Sequence, residues 1–163
     1  MYPNFKTKPF NHQLQALGCS WSHENFAYFM EMGTGKSKVL IDNIAMLYDS
    51  GKINAAVIIA PKGVYRNWER LEIPAHLPDH IETRVTTWVA PSSRRKEDTK
   101  NLKKLSESFD GLDIFLMNVE ALAHKPAVDF LQKYLLGTLS LLCIDESTTI
   151  KSPSAQRTKN ILK

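Results

Sequence analysis

Residues Phe26 to Ser37 limit the possible folds of this chain more than any other stretch. The aromatic, apolar run Phe26-Ala27-Tyr28-Phe29-Met30 has the composition of a buried strand. A turn containing Gly33 and Gly35 follows it. Lys36-Ser37 then opens a segment with helical apolar spacing at Val39, Leu40, Ile44, Leu47 and Tyr48. A strand feeding a helix through such a turn belongs to a layered α/β arrangement, and Gly-Lys-Ser at the junction is a phosphate-binding signature in that context.

The residue types carry the chemistry. Gly33 and Gly35 can adopt backbone angles that a side chain forbids, so consecutive N–H groups can curl into a concave nest for anionic oxygens. The helix starting near Lys36 turns its positive end towards the same point. Lys36 is placed to reach the β- and γ-phosphates of a nucleotide, and the Ser37 hydroxyl to ligate Mg²⁺. The strict pattern G-x-x-x-x-G-K-[ST] asks for glycine at position 30, where this chain has Met30, so only the second half of the motif is intact.

A chain of 163 residues suits one domain, expected over 1–163, and can bury about two thirds of its unfolded surface. No apolar run approaches the roughly 20 residues that span a bilayer, and the N-terminus lacks a signal-peptide core. No membrane partner is expected, and a cytoplasmic location is. Cys19 and Cys143 lack metal-like spacing, and Cys143 sits in an apolar run as a reduced core thiol would. The five histidines are scattered and form no zinc pattern. The net charge of +4 is compatible with nucleic acid but weak evidence for it. More local is the cluster Arg94, Arg95, Lys96, Lys100, Lys103 and Lys104. It can be a solvated helix face or a contact to a phosphate backbone.

Taken in order, residues 1–10 form an irregular lead-in with Pro3 and Pro9. A helix is expected from Asn11, a good N-cap, towards Trp21. The helix after the glycine turn ends near Ser50-Gly51. Ala55 to Ala60, closed by Pro61, reads as a central parallel strand. Val64 to about Ala75 reads as a helix bounded by Pro74 and Pro78, and Ile81 to Val89 as a strand. The basic stretch is expected as one helix from about Pro91 to Ser108. Asp113 to Asn118 reads as a strand, Pro126 to Leu136 as a helix stopped by Gly137, and Leu141 to Ile144 as a buried strand. Pro153 to Lys163 looks like a short basic helix. Strands alternate with helices throughout, so the expected fold class is α/β, a mostly parallel sheet flanked by helices. Ligands in such sheets sit at the carboxyl ends of the strands, where both Lys36 and Asp145 fall.

Asp145-Glu146 supplies the second half of a candidate site. A strand ending in two acids delivers one carboxylate to a metal ion and another to an attacking water: Asp145 would hold Mg²⁺ and Glu146 would act as general base. Such a strand end is common. About a hundred residues after a Gly-Lys-Ser turn in an alternating α/β chain, it gains weight.

Met30-Glu31-Met32-Gly33-Thr34-Gly35-Lys36-Ser37 resembles motif I of superfamily 2 helicases, above all the Swi/Snf-type translocases with D-E-M-G-L-G-K-T. Ile144-Asp145-Glu146-Ser147-Thr148-Thr149-Ile150-Lys151-Ser152 resembles their D-E-A-H-x-x-K-N motif II. Ile58-Ile59-Ala60-Pro61 followed by Asn67-Trp68 resembles motif Ia and the Asn-Trp pair after it. Asn118-Val119-Glu120 falls where the family has T-Y-E, and Pro9-Phe10-Asn11-His12-Gln13 resembles the upstream segment whose glutamine reads adenine. The resemblance spans nearly the whole chain. It implies the N-terminal RecA-like lobe of a nucleic-acid-stimulated ATPase. Gln13 would then contact adenine, and Met32, Gly33, Thr34, Gly35, Lys36 and Ser37 would hold ATP and Mg²⁺. Asp145 and Glu146 would run hydrolysis, and Lys62 and Asn67 would approach nucleic acid, with double-stranded DNA the expected form; Arg94 and Arg95 of the basic cluster join them as candidate contacts. Two plainer readings stand beside these: Gln13 as a surface helix residue, and Asn67-Trp68 as a cap plus a core aromatic. Thr148 stands where the family has histidine or aspartate, a position that couples hydrolysis to movement.

The family's next elements, a strand bearing motif III and a second lobe with an arginine finger, are not expected within these 163 residues. In the family that strand lies between those of motifs I and II. The resulting gap is expected to be closed by a strand from another copy, by a partner chain, or by direct pairing of the neighbouring strands. Isolated hydrolysis is expected to be slow. A non-catalytic nucleotide- or nucleic-acid-binding module regulating a helicase partner is the alternative function.

Overall fold

The computed structural model describes residues 4–146 and 158–159. Four parallel strands lie in the order β2-β3-β1-β4, with β1 at Ala55–Ala60, β2 at Thr83–Thr87, β3 at Leu112–Asn118 and β4 at Ser140–Ile144. The α/β class expected from the alternating pattern is the one observed. All six residues of β1 are buried, which is what its unbroken apolar run requires of a strand covered on both faces. Its pairing sets the register of the sheet: Val57 lies opposite Phe115 and Leu142, and Ile59 opposite Met117 and Ile144.

Helices cover both faces. On one, Ala56, Ile58, Ile114 and Leu116 pack with Leu40, Ile41 and Ile44 of α2 (Lys36–Asp49) and with Tyr65, Trp68 and Ile73. On the other, Val57, Ile59, Phe115 and Met117 pack with Leu102 of α5 (Lys96–Lys104) and Leu131 and Tyr134 of α6 (Lys125–Leu136). A further helix, α1 (Asn11–Ser20), lies against α2. Gly51 has φ 68°, and the Lys52 N–H reaches the Leu47 carbonyl at 2.9 Å, so α2 closes with a left-handed glycine as its sequence indicated.

Several elements depart from expectation. Residues 26–30 form no strand: they run without regular structure, with Phe26 46% and Phe29 98% exposed. An apolar run becomes a strand only when a neighbour accepts its backbone groups, and among the described residues no strand pairs with these. Instead the run folds on itself. The Phe26 and Tyr28 rings meet at 5.1 Å, and the Tyr28 hydroxyl donates to Ser20 Oγ at 2.7 Å.

Correspondingly, among the described residues β4 is an edge strand rather than a buried one, and Leu142 is 40% exposed. Direct pairing of the two neighbouring strands, one of the expected ways to close the gap, is therefore not what the chain does.

The helix expected from Val64 is observed as α3 (Tyr65–Asn67), a π-helical stretch Trp68–Glu72 and α4 (Ile73–His76), running consecutively. Pro74 lies inside it rather than at its boundary. Proline offers no N–H to the Arg70 carbonyl, and the widened turn, closed from the Ile73 N–H to the Trp68 carbonyl, accommodates it. The basic helix is broken: Pro91–Ser93 forms a 3₁₀ turn and the α-helix begins only at Lys96. Asn11 is the first residue of α1, not its cap. The Phe10 N–H, at the cap position, is satisfied by Gln13 Oε1 at 2.9 Å. The motif II residues after Glu146, including Thr148, and most of the expected 153–163 helix lie outside the described residues. Of the latter, 158–159 are helical.

Candidate functional site

The loop ahead of α2 is built as its glycines demand. Gly33 and Gly35 have φ of 77° and 80°. Glu146 is the one non-glycine with positive φ among the described residues, so Met30 occupies the motif's first position without backbone strain. Lys36 folds back over the loop, and its ammonium donates to the Met30 and Glu31 carbonyls at 3.0 and 2.9 Å. Thr34 Oγ1 donates to the same Glu31 carbonyl at 2.7 Å.

Gln13 buttresses this loop from behind and is 4% exposed, which removes the surface-residue reading. Its Nε2 donates to the Thr34 carbonyl at 3.1 Å, and His12 Nε2 lies 3.0 Å from the same oxygen.

The acids arrive from the sheet. The Asp145 N–H donates to the Ile59 carbonyl at 2.8 Å, extending the β1–β4 pairing one step and fixing Asp145 at the carboxyl end of both strands. Its carboxylate Oδ2 accepts the indole N–H of Trp68 at 3.0 Å. Glu146 follows with φ 56°, a left-handed conformation that costs a non-glycine residue about 1–2 kcal/mol. Strain of this kind gathers at sites where geometry matters more than stability.

Loop and acids meet. Met32, Gly33, Gly35, Lys36, Ser37, Asp145 and Glu146 line one cleft of about 330 Å³, together with Lys38, Val64, Glu72 and His76. The last four are not among the site residues expected from the sequence. Lys38 is buried and paired with Asp42 at 2.7 Å, and Phe5 lies 5.5 Å from its ammonium. Burial raises the Asp42 carboxyl above its usual range, against the pull of Lys38. Burial, then the Lys38 charge, lowers His76, whose Nδ1 sits 2.8 Å from Thr7 Oγ1. The i,i+4 spacing of Lys38 and Asp42 was the available signal for that pair. Behind the acids, burial pushes the Cys143 thiol up to about 12, which keeps it an inert thiol.

The candidate nucleic-acid residues do not line this cleft. Lys62 and Asn67 are exposed, just beyond the carboxyl end of β1. Arg94 lies in the break before α5, where its guanidinium donates to the Val89 carbonyl at 2.9 and 3.1 Å and sits over the Trp88 ring at 4.8 Å. Those contacts hold the turn together. Arg95 caps α5 through its N–H to Asp98 Oδ2 at 2.8 Å, and its side chain is 83% exposed.

The described residues contain no group of three or more His, Cys, Asp or Glu able to hold a metal by themselves. The cleft offers one hydroxyl, Ser37, and one strand-anchored carboxylate, Asp145, beside the glycine loop. Such hard oxygen donors fit an ion that keeps several waters and enters with phosphate oxygens.

Among solved structures, the Sulfolobus solfataricus SWI2/SNF2 ATPase core in complex with dsDNA is similar, with a TM-score of 0.68 and 17% identity. The match covers 99% of this chain and 31% of that chain, so the chain spans about a third of its neighbour's length. At that identity the likeness speaks to fold alone, and the chain has a RecA-like α/β fold. No family model and no curated protein matches the chain. Among the described residues, no helix is long and apolar enough to cross a membrane.

Proposed function

We propose that this chain is the ATP-binding lobe of a Swi/Snf-like helicase or DNA translocase, an ATPase stimulated by nucleic acid. The observation that carries the reading is the single cleft shared by the glycine loop, Lys36, Ser37, Asp145 and Glu146 at the carboxyl ends of parallel strands. The N–H groups of the loop and of the start of α2 would cradle the phosphates. Lys36 would exchange its bonds to Met30 and Glu31 for phosphate oxygens. Ser37 and Asp145 would hold Mg²⁺, which neutralises charge on the β- and γ-phosphates when bound. Glu146 would orient and deprotonate the attacking water. Gln13, with one amide oxygen and one N–H already committed to the chain, keeps a second N–H for an adenine nitrogen. Exposed Lys62 and Asn67, with Arg95, would meet the nucleic-acid backbone, with double-stranded DNA as the expected partner. Arg94 would act there only by leaving Val89.

No arginine lines the cleft among the described residues, and an arginine opposite the γ-phosphate is worth several orders of magnitude in phosphoryl transfer. The 163-residue chain is therefore expected to bind nucleotide and hydrolyse it slowly until a second lobe or partner chain supplies that charge. The edge of β4, open among the described residues, favours a partner that also adds a strand, which a second copy could do by strand exchange. The runner-up, a regulatory module that binds without turnover, draws on the same arginine-free cleft. ATP hydrolysis measured with and without double-stranded DNA, for wild type, Lys36→Ala and Glu146→Gln, separates the two. The enzyme reading expects DNA-stimulated turnover that both substitutions abolish, with nucleotide binding kept in Glu146→Gln. Nucleotide binding that is unchanged in Lys36→Ala refutes the phosphate-loop reading, and with it the enzyme.

A further inference from the structure

We infer that Trp68 is a positioning residue for the metal-binding carboxylate, holding Asp145 in one orientation through its indole N–H. The inference rests on the nucleotide-site reading above and adds to it a residue that touches neither nucleotide nor metal.

Trp68 is 2% exposed and packs in the core layer formed with Ile58, Leu116 and Tyr65. Its ring cannot turn without opening that layer. A buried indole N–H needs an acceptor, and the acceptor here is Asp145 Oδ2, 77 residues away in sequence. A bond to a carboxylate is shorter and stronger than one to a neutral carbonyl.

Asp145 is thus held twice. Its backbone N–H is fixed on the Ile59 carbonyl, and its side chain on Trp68. Among the described residues it has no cationic partner within ion-pair distance, so its charge is left for a cation in the cleft it lines. Phenylalanine at position 68 would fill most of the same space and leave the carboxylate free to rotate. Groups that orient a metal ligand in this way are worth about 10- to 100-fold in metal affinity. Trp68 is the first residue of the π-helical stretch.

The test is ADP binding by calorimetry, with and without Mg²⁺, for wild type, Trp68→Phe, Asp145→Asn and Lys36→Ala. Trp68→Phe should bind metal-free ADP as wild type does and lose about tenfold of the affinity gained on adding Mg²⁺. Asp145→Asn should lose the whole gain. A full Mg²⁺ gain in Trp68→Phe overturns the inference while leaving the nucleotide site standing. Equal ADP affinity in wild type and Lys36→Ala, or no ADP binding in wild type, overturns the nucleotide site and the inference with it.

A second measurement covers the case in which Trp68→Phe does not fold. With Trp21 and Trp88 both changed to Phe, the remaining indole reports position 68 alone. Its emission should change when Mg²⁺ is added to the ADP complex, and Asp145→Asn should abolish that change. Emission that responds equally with and without the Asp145 carboxylate rejects the role.

Discussion

The side-chain amide of Gln13 stands where a β-carbon on Gly35 would have to be. Helix α1 and the glycine loop are therefore fitted to each other at a point where a β-carbon would meet Gln13, and Gly35 is left-handed besides. Gly33, also left-handed, has open space around it.

These two glycines should consequently differ. Gly33→Ala is expected to cost the backbone term alone, about 1–2 kcal/mol. Gly35→Ala should cost more, because Gln13 must also move. Adding Gln13→Ala should recover part of the Gly35→Ala loss and none of the Gly33→Ala loss. Denaturant unfolding of the single and double variants checks this; additive Gln13 and Gly35 effects would show that the two side-chain positions do not compete.

Lys38 and Asp42 form an ion pair with side chains only 7% and 1% exposed, and Asp42 Oδ1 has no hydrogen-bond partner among the described residues. Removing the ammonium leaves a buried carboxylate with nothing to offset it. Lys38→Ala should destabilise the fold by about 3–5 kcal/mol near neutral pH. Asp42→Asn should cost less, since burial already pushes this carboxyl towards its neutral form. The order of the two in chemical denaturation is the check, and a larger loss in Asp42→Asn would contradict the electrostatic account.

The edge of β4 predicts an alternating exchange pattern. The Asp145 N–H points to β1, so by the two-residue period those of Cys143 and Leu141 do as well, while those of Leu142 and Ile144 point outwards. Hydrogen exchange should find Leu142 and Ile144 fast and Cys143 slow in the isolated chain. A partner that contributes a strand should slow Leu142 and Ile144 specifically. Slow exchange at both in a monomer would mean that the edge is already covered.

His76 gives a pH dependence whose sign follows from its surroundings. Burial and Lys38 lower its pKa from 6.5, while Glu72 and Asp42 pull the other way. With the folded value below the unfolded one, the unfolded chain binds more protons between them. The contribution is complete above pH 6.5 and is lost as pH falls through the folded value. Asp42, shifted upwards, acts in the opposite sense, so the comparison must isolate His76. The melting-temperature advantage of wild type over His76→Gln should shrink between about pH 7.5 and 5.5, values spanning the imidazole range. A gap that widens on acidification would reverse the assignment.

Features written in short stretches are legible in the sequence itself. The glycine loop, the start and end of α2, the buried β1 and the strand-terminal Asp145-Glu146 depend on residues adjacent in the chain. Turn glycines, helix spacing and an unbroken apolar run act locally, and periodicity reports them. Residues 26–30 and β4 show where that ends. Both carry apolar side chains, yet among the described residues one finds no strand beside it and the other finds only one. Composition shows that a segment would gain from pairing, but not whether a neighbour arrives. The Trp68–Asp145 bond belongs to the same class, since the register of β4 on β1 and the π turn after β1 together bring an indole to a carboxylate. Local chemistry was enough to name the loop and the acids. Bringing them into one cleft, and choosing what holds Asp145, was left to long-range packing, because only the folded sheet sets the distance between residues so far apart along the chain.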